Sequence, residues 1–191
     1  MQKDIKKILV MLGHPDTESL AGFLADQYEA GAKVRGHEVK RVNVGDLKFD
    51  PILHKGYRVI QALETDLISA QEMIKWADHI VLVYPNWWGS MPALLKGFFD
   101  RALLPGFGFN FKDGKIIKRL AGKSARVIIT MDIMPTLFFH TRAALTMKNS
   151  ILRFCGIEPV RVTEIGPVKE VVDKKKDEWG KRVFKYGEAG I

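Results

Sequence analysis

HIVLVYPNWWGSMPALLKGFFDRAL, residues 79–103, decides the fold. His79 to Tyr84 is an apolar run of the length of a buried strand. A helical pattern opens at Met91, Pro92 and Ala93 and continues to Leu104, with a proline where a helix start tolerates one. Two adjacent tryptophans, Trp87 and Trp88, stand in the turn between strand and helix. Such turns are usually polar. Flat apolar side chains there point either to a planar ligand or to packing in a core or subunit interface.

The same strand–turn–helix unit recurs on both sides of this stretch. Ile5–Leu12 reads as a first strand, Gly13–Asp16 as a turn, and Ser19–Val34 as a helix ended by Gly36. Glu38–Val44 alternates as a second strand. A long connection containing Pro51, residues 45–58, leads to a helix over Leu63–Ala77. Downstream, Pro105–Asp113 is an irregular phenylalanine-rich loop, PGFGFNFKD, whose alternating rings would also suit an edge strand or hairpin. Ala125–Met131 is a fourth strand, His140–Phe154 a helix ended by Gly156, Val160–Ile165 a fifth strand, and Val168–Tyr186 a charged terminal helix. Alternating strands and helices predict an α/β fold: a doubly wound five-stranded parallel sheet with helices on both faces. No repeat, low-complexity tract or linker divides residues 1–191, so the expectation is a single domain. Such sheets bind ligands at the carboxyl ends of their strands. Three turns lie there: residues 13–21, 85–91 and 130–137.

The composition narrows the function classes. Hydrophobic residues make up 47% and charged residues 27% of the 191, which is ordinary for a globular chain. The lone cysteine, Cys155, excludes an intramolecular disulfide and suits a cytoplasmic setting. No apolar run approaches the ~20 residues that span a bilayer. The basic start precedes only Ile8–Leu12, too short for a signal peptide core. The net charge of +8 is dispersed, with Lys174–Lys176 answered by Asp177 and Glu178, and no basic stripe or motif for nucleic acid is present. There is no H-E-x-x-H and no clustered Cys/His spacing, so no metal site is expected.

The first turn, GHPDTESLAG, is neither a G-x-G-x-x-G nor a Walker A loop. It offers the Thr17 and Ser19 hydroxyls and the orphan N–H groups of Ser19, Leu20 and Ala21 at a helix start, where a phosphate binds well. His14 adds a donor. Equally, Ser19 serves as a plain N-cap and His14 as a turn residue. A phosphate site at the first turn and a flat apolar wall at the second together outline a mononucleotide with a planar ring, such as flavin mononucleotide.

GHPDTESLAG, YPNWWGSMPALLKGFFDRAL and LRFCGI together resemble the NAD(P)H:quinone oxidoreductase family, which has a flavodoxin-like fold. The chain is most similar to its small bacterial members, which include potassium-efflux ancillary proteins and general NAD(P)H oxidoreductases. The resemblance spans residues 5 to about 165. Its most specific run is Trp88–Arg101, with Pro92, Lys96, Gly97, Phe98 and Arg101.

That resemblance implies an enzyme passing hydride from NADH or NADPH through a bound flavin to quinone-like acceptors, by a ping-pong scheme. FMN is expected over FAD because no adenine-binding extension is evident. By the family match, His14, Thr17, Ser19, Leu20 and Ala21 hold the flavin phosphate. Pro85, Asn86, Trp87, Trp88 and Gly89 cradle its ring and ribityl chain. Gln71 also matches a cofactor-contact position, although a helix-surface glutamine needs no ligand. Thr130, Met131, Asp132 and Ile133 form the third turn, where animal enzymes carry Thr-Thr-Gly-Gly. Phe107, Phe109 and Phe111 match a segment of the substrate pocket near a dimer interface, so a homodimer is expected. The tyrosine and histidine near the flavin of those enzymes lack clear counterparts, His140 being merely near in sequence. Two other readings remain open: a flavin-binding regulatory subunit of a membrane transporter, peripheral to the membrane, and an electron carrier. A carrier is usually acidic, unlike this chain.

Overall fold

A computed structural model describes residues 5–134, 141–169 and 171–191. The strands are β1 (Lys7–Leu12), β2 (Glu38–Asn43), β3 (His79–Pro85), β4 (Phe109–Lys112), β5 (Lys115–Lys118), β6 (Ser124–Thr130) and β7 (Val160–Ile165). The helices are α1 (Leu20–Arg35), α2 (Thr65–Trp76), α3 (Ala93–Ala102), α4 (Arg142–Leu145), α5 (Arg153–Cys155) and α6 (Asp173–Ala189). A π stretch, Thr146–Leu152, joins α4 to α5.

Five of the strands pair into one all-parallel sheet in the order β2-β1-β3-β6-β7. This is the doubly wound arrangement expected. The chain order reverses between β1 and β3, which makes the crevice at their carboxyl ends the binding position of such a sheet. Both faces are covered, which is why β3 is buried at every position. Alternation sends Ile8, Val10 and Leu12 into a layer with Leu24, Tyr28, Trp179 and Val183 of α1 and α6. It sends Leu9 and Met11 into the opposite layer, with Leu67, Leu95, Phe98 and Met147.

Several boundaries differ from the sequence reading. The phenylalanine-rich loop is half of a hairpin, with β4 antiparallel to β5. Asp113 and Gly114 turn it, with φ of 51° and 72°. An Asp-Gly pair between alternating side chains is a strong signal for that turn. The terminal helix begins at Asp173, not Val168, because the Val168 N–H donates to the Met131 carbonyl and ties the chain to the third turn. The third helix stops at Ala102. His140, and residues 135–140 of the third turn and fourth helix, lie outside the described residues. No helix among the described residues is long and apolar enough to cross a membrane.

The run Lys96–Arg101 has a structural task. Arg101 is fully buried on α3, and its guanidinium donates to the carbonyls of Asp50 and Ala62 and to the Glu64 carboxylate. One turn earlier, a Cβ on Gly97 would lie 2.7 Å from the Pro51 carbonyl oxygen, so only glycine lets that connection lie against the helix. Together they pin the long segment between β2 and α2.

Candidate functional site

The three turns meet at the carboxyl ends of β1, β3 and β6. Gly13 N–H donates to the Val83 carbonyl at 2.8 Å, and Asn86 N–H to the Thr130 carbonyl at 2.7 Å. The imidazole of His14 contacts the indole of Trp87 edge to face, with centroids 5.3 Å apart. Backbone and rings therefore fasten the first turn to the second, and the second to the third.

Turn one is built by capping. Ser19 has extended backbone, and its Oγ accepts from Gly22 N–H at 3.2 Å. The same hydroxyl donates to the Asp16 carbonyl at 2.7 Å. Ser19 is thus the N-cap, as one of the two readings held. The N–H groups of Leu20 and Ala21 come before the first helical acceptor, the position at which a helix start receives an anion. His14 Nδ1 accepts the Asp16 N–H at 2.9 Å, so the neutral ring carries its proton on Nε2 and presents a donor. Thr17 is exposed, and its carbonyl lies so close to α1 that a Cβ on Gly22 would sit 1.9 Å from it. Sequence reasoning did not single out Gly22, since one glycine early in a helix carries no distinctive signal.

Turn two is a tight loop. Trp87 and Ser90 exchange two backbone hydrogen bonds of 2.9 Å each, enclosing Trp88 and Gly89 at φ of 54° and 74°. Trp88 is fully exposed and Trp87 is 44% exposed, while Pro85 and Met91 are buried on either side. Core packing therefore does not account for Trp88. Holding a bulky side chain in the left-handed region costs about 1–2 kcal/mol. Such strain at a solvent-facing aromatic suits a surface kept for a ligand. The Asn86 side-chain oxygen, Oδ1, is buried and lacks a hydrogen-bond partner.

Turn three is mostly framework as far as it is described. Thr130 and Met131 are buried, and Met131 N–H donates to the Ile165 carbonyl at 2.9 Å. Asp132 and Ile133 are exposed. Gln71 is engaged away from the turns, its Nε2 donating to the Ala102 carbonyl at 2.8 Å to tie α2 to α3.

The phenylalanines divide. Phe109 is buried edge to face on Phe154, while Phe111 is 61% exposed. Both border a cavity of about 440 Å³ with Phe99, Phe154, Lys96 and Thr146. No described residue of the three turns lines it. Phe107 packs beside the core under the Lys75 ammonium, 5.6 Å from its ring centre. Cys155 borders the same cavity, but burial pushes its thiol up to about 11, which suits a small core residue and not a nucleophile.

A family model described as flavodoxin-like fold matches residues 6–183. The chain belongs to this flavodoxin-like family. An uncharacterized NAD(P)H oxidoreductase from Haemophilus influenzae is 28% identical over 176 residues, covering 88% of this chain and 87% of that protein. The NAD(P)H:quinone oxidoreductase of Methanothermobacter marburgensis superposes with a TM-score of 0.81 at 19% identity, over 98% of this chain and all of that one. An FMN-dependent NADH-azoreductase from Bacillus anthracis, solved with FMN, gives 0.75 at 17% identity, over 97% and 99%. At those identities the two structures speak for the fold. In this flavodoxin-like protein, an open helix N-terminus, an exposed indole and an orphaned amide oxygen fit a ring that carries a phosphate.

Proposed function

We propose that this protein is a flavin-dependent NAD(P)H:quinone oxidoreductase. The joining of turns one and two through His14 and Trp87 carries the reading, because it sets a phosphate site beside a flat apolar wall. The names of its relatives favour an enzyme over a transporter subunit or an electron carrier.

Leu20 and Ala21 N–H groups, with His14 Nε2, receive the flavin phosphate. Trp88 walls the ring, and Asp132 and Ile133 border its third side. A bound flavin supplies hydride transfer between a nicotinamide and an acceptor. The protein supplies position, a water-poor slot and hydrogen bonds. FMN is the form favoured, the FMN-bound azoreductase sharing the fold. Tyr57, Ile60, Phe111 and Ile116 are exposed apolar side chains, which suits a homodimer as the working form. Phe111 then takes part in the acceptor site across that interface.

The test is to purify the protein, release any bound flavin and identify it by mass. Rates against NAD(P)H and a benzoquinone together are expected to give the parallel lines of a ping-pong scheme. A colourless protein that binds neither FMN nor FAD overturns the flavin reading. Intersecting lines overturn the ping-pong scheme.

A further inference from the structure

We infer that the side chain of Asn86 reads the imide edge of the flavin, its Oδ1 accepting the ring's N3–H. This rests on the flavin reading above and adds a role that the turn's backbone does not supply.

Among the described residues, Asn86 Oδ1 is the one buried side-chain oxygen without a hydrogen-bond partner. Buried polar atoms are nearly always paired, because leaving one unpaired forfeits its hydration. Each exception therefore calls for a missing partner. Asn86 follows directly on β3 and begins the tryptophan turn, and its backbone N–H is committed to the Thr130 carbonyl at 2.7 Å. The residue is thus fixed at the junction of turns two and three.

The chemistry selects the partner. An orphaned acceptor needs a donor, and the oxidised flavin ring has one N–H, at N3. That N–H lies between two carbonyls, as in uracil. A primary carboxamide complements such an edge, its oxygen accepting from the N–H and its NH2 able to donate to a flanking carbonyl.

The inference predicts opposite effects in the two states of the protein. In the flavin-free protein, Asn86→Leu removes an unpaired buried oxygen, so its thermal midpoint should hold or rise. The same variant should bind FMN about tenfold more weakly, the effect of one buried hydrogen bond. 3-Methyl-FMN, which lacks the N3–H, supplies the second arm. Wild type should prefer FMN to 3-methyl-FMN by about tenfold more than Asn86→Leu does. Asn86→Asp, which keeps an acceptor of the same shape, covers the case in which leucine does not fold.

Wild type that binds no flavin would sink the flavin reading itself. Wild type that binds FMN, beside an Asn86→Leu that binds it equally well, would sink only this inference. A flavin-free Asn86→Leu of lowered midpoint with an undiminished FMN preference would assign Asn86 to the framework of the turn and also overturn it. If only Asn86→Asp folds, its retaining the wild-type preference for FMN supports the inference, and its losing that preference counts against it.

Discussion

His14 and Trp87 meet edge to face, their ring centroids 5.3 Å apart and their planes at 72°. Aromatic pairs at this spacing contribute about 0.5–1.5 kcal/mol beyond burial. The pair joins turns that lie 70 residues apart in the chain, so its value is mutual placement. His14→Phe keeps a ring against Trp87 but loses the Nε2 donor. It should retain the thermal midpoint of the flavin-free protein and weaken FMN binding. His14→Ala should lower both. Calorimetry of the flavin-free protein and a fluorescence titration with FMN check the two outcomes.

Ser19 separates capping from phosphate binding. Serine and aspartate cap helices about equally well, so Ser19→Asp should keep α1 and lower the stability of the flavin-free protein only slightly, through the lost exposed bond to the Asp16 carbonyl. A carboxylate at that position faces any phosphate on the Leu20 and Ala21 N–H groups. FMN affinity should therefore fall by tenfold or more, while affinity for riboflavin, which lacks the phosphate, should change little. Equal losses for the two flavins would move the phosphate away from this helix.

Trp88 is in the left-handed region at φ 54° with its side chain in solvent. Glycine adopts that conformation freely, so Trp88→Gly should stabilise the flavin-free protein by about 1 kcal/mol. It should also weaken FMN binding, since the wall of the slot is gone. Urea unfolding of the flavin-free protein reads the first effect, and the FMN titration reads the second. A large loss of stability would show the indole to be a packing residue.

The long-range plan was legible because it depends on patterns that sequence displays. Apolar runs of strand length alternating with amphipathic stretches specify the parallel sheet, and the sheet specifies which turns share an end. Ser19 was legible as a cap, and the tryptophans as misplaced for a polar turn. Other features depend on contacts that no local pattern encodes. Gly22 is needed only because the Thr17 carbonyl folds back onto α1. Gln71 matches a cofactor-contact position of the family, or else reads as a plain surface glutamine, and its amide donates to the Ala102 carbonyl. Phe107, Phe109 and Phe111 alternate identically, yet Phe107 is partly buried beside the core, Phe109 is buried on Phe154 and Phe111 is exposed. The Asp113–Gly114 turn was in the sequence to be read, and the competing pattern of phenylalanines obscured it.

Arg101 belongs to the most family-specific run, yet its contacts are structural, and stability is where its loss should show. Its fully buried guanidinium holds the carbonyls of Asp50 and Ala62 and reaches Glu64 Oε2 at 2.9 Å. Glu64 is 33% exposed, so water takes over part of its pairing, and losing the Arg101 hydrogen bonds costs about 1–3 kcal/mol. Arg101→Met keeps most of the volume and should lower the unfolding free energy by that order. The pH dependence gives an independent reading. Desolvation pushes the Glu64 carboxyl up, but the N–H groups of Asp50 and Glu64 and the Arg101 guanidinium outweigh it. The carboxyl therefore sits below its ordinary value of 4.5. A carboxyl that is more acidic in the folded chain stabilises the fold above its ordinary value, and that contribution is lost as pH falls through the depressed one. Wild-type stability should consequently decline below about pH 4.5. In Arg101→Met the decline should be shallower, because one cause of the depression is gone. Unfolding measured from pH 7 down to 3 checks both signs, and parallel curves for the two proteins would mean that Arg101 does not set the acidity of Glu64.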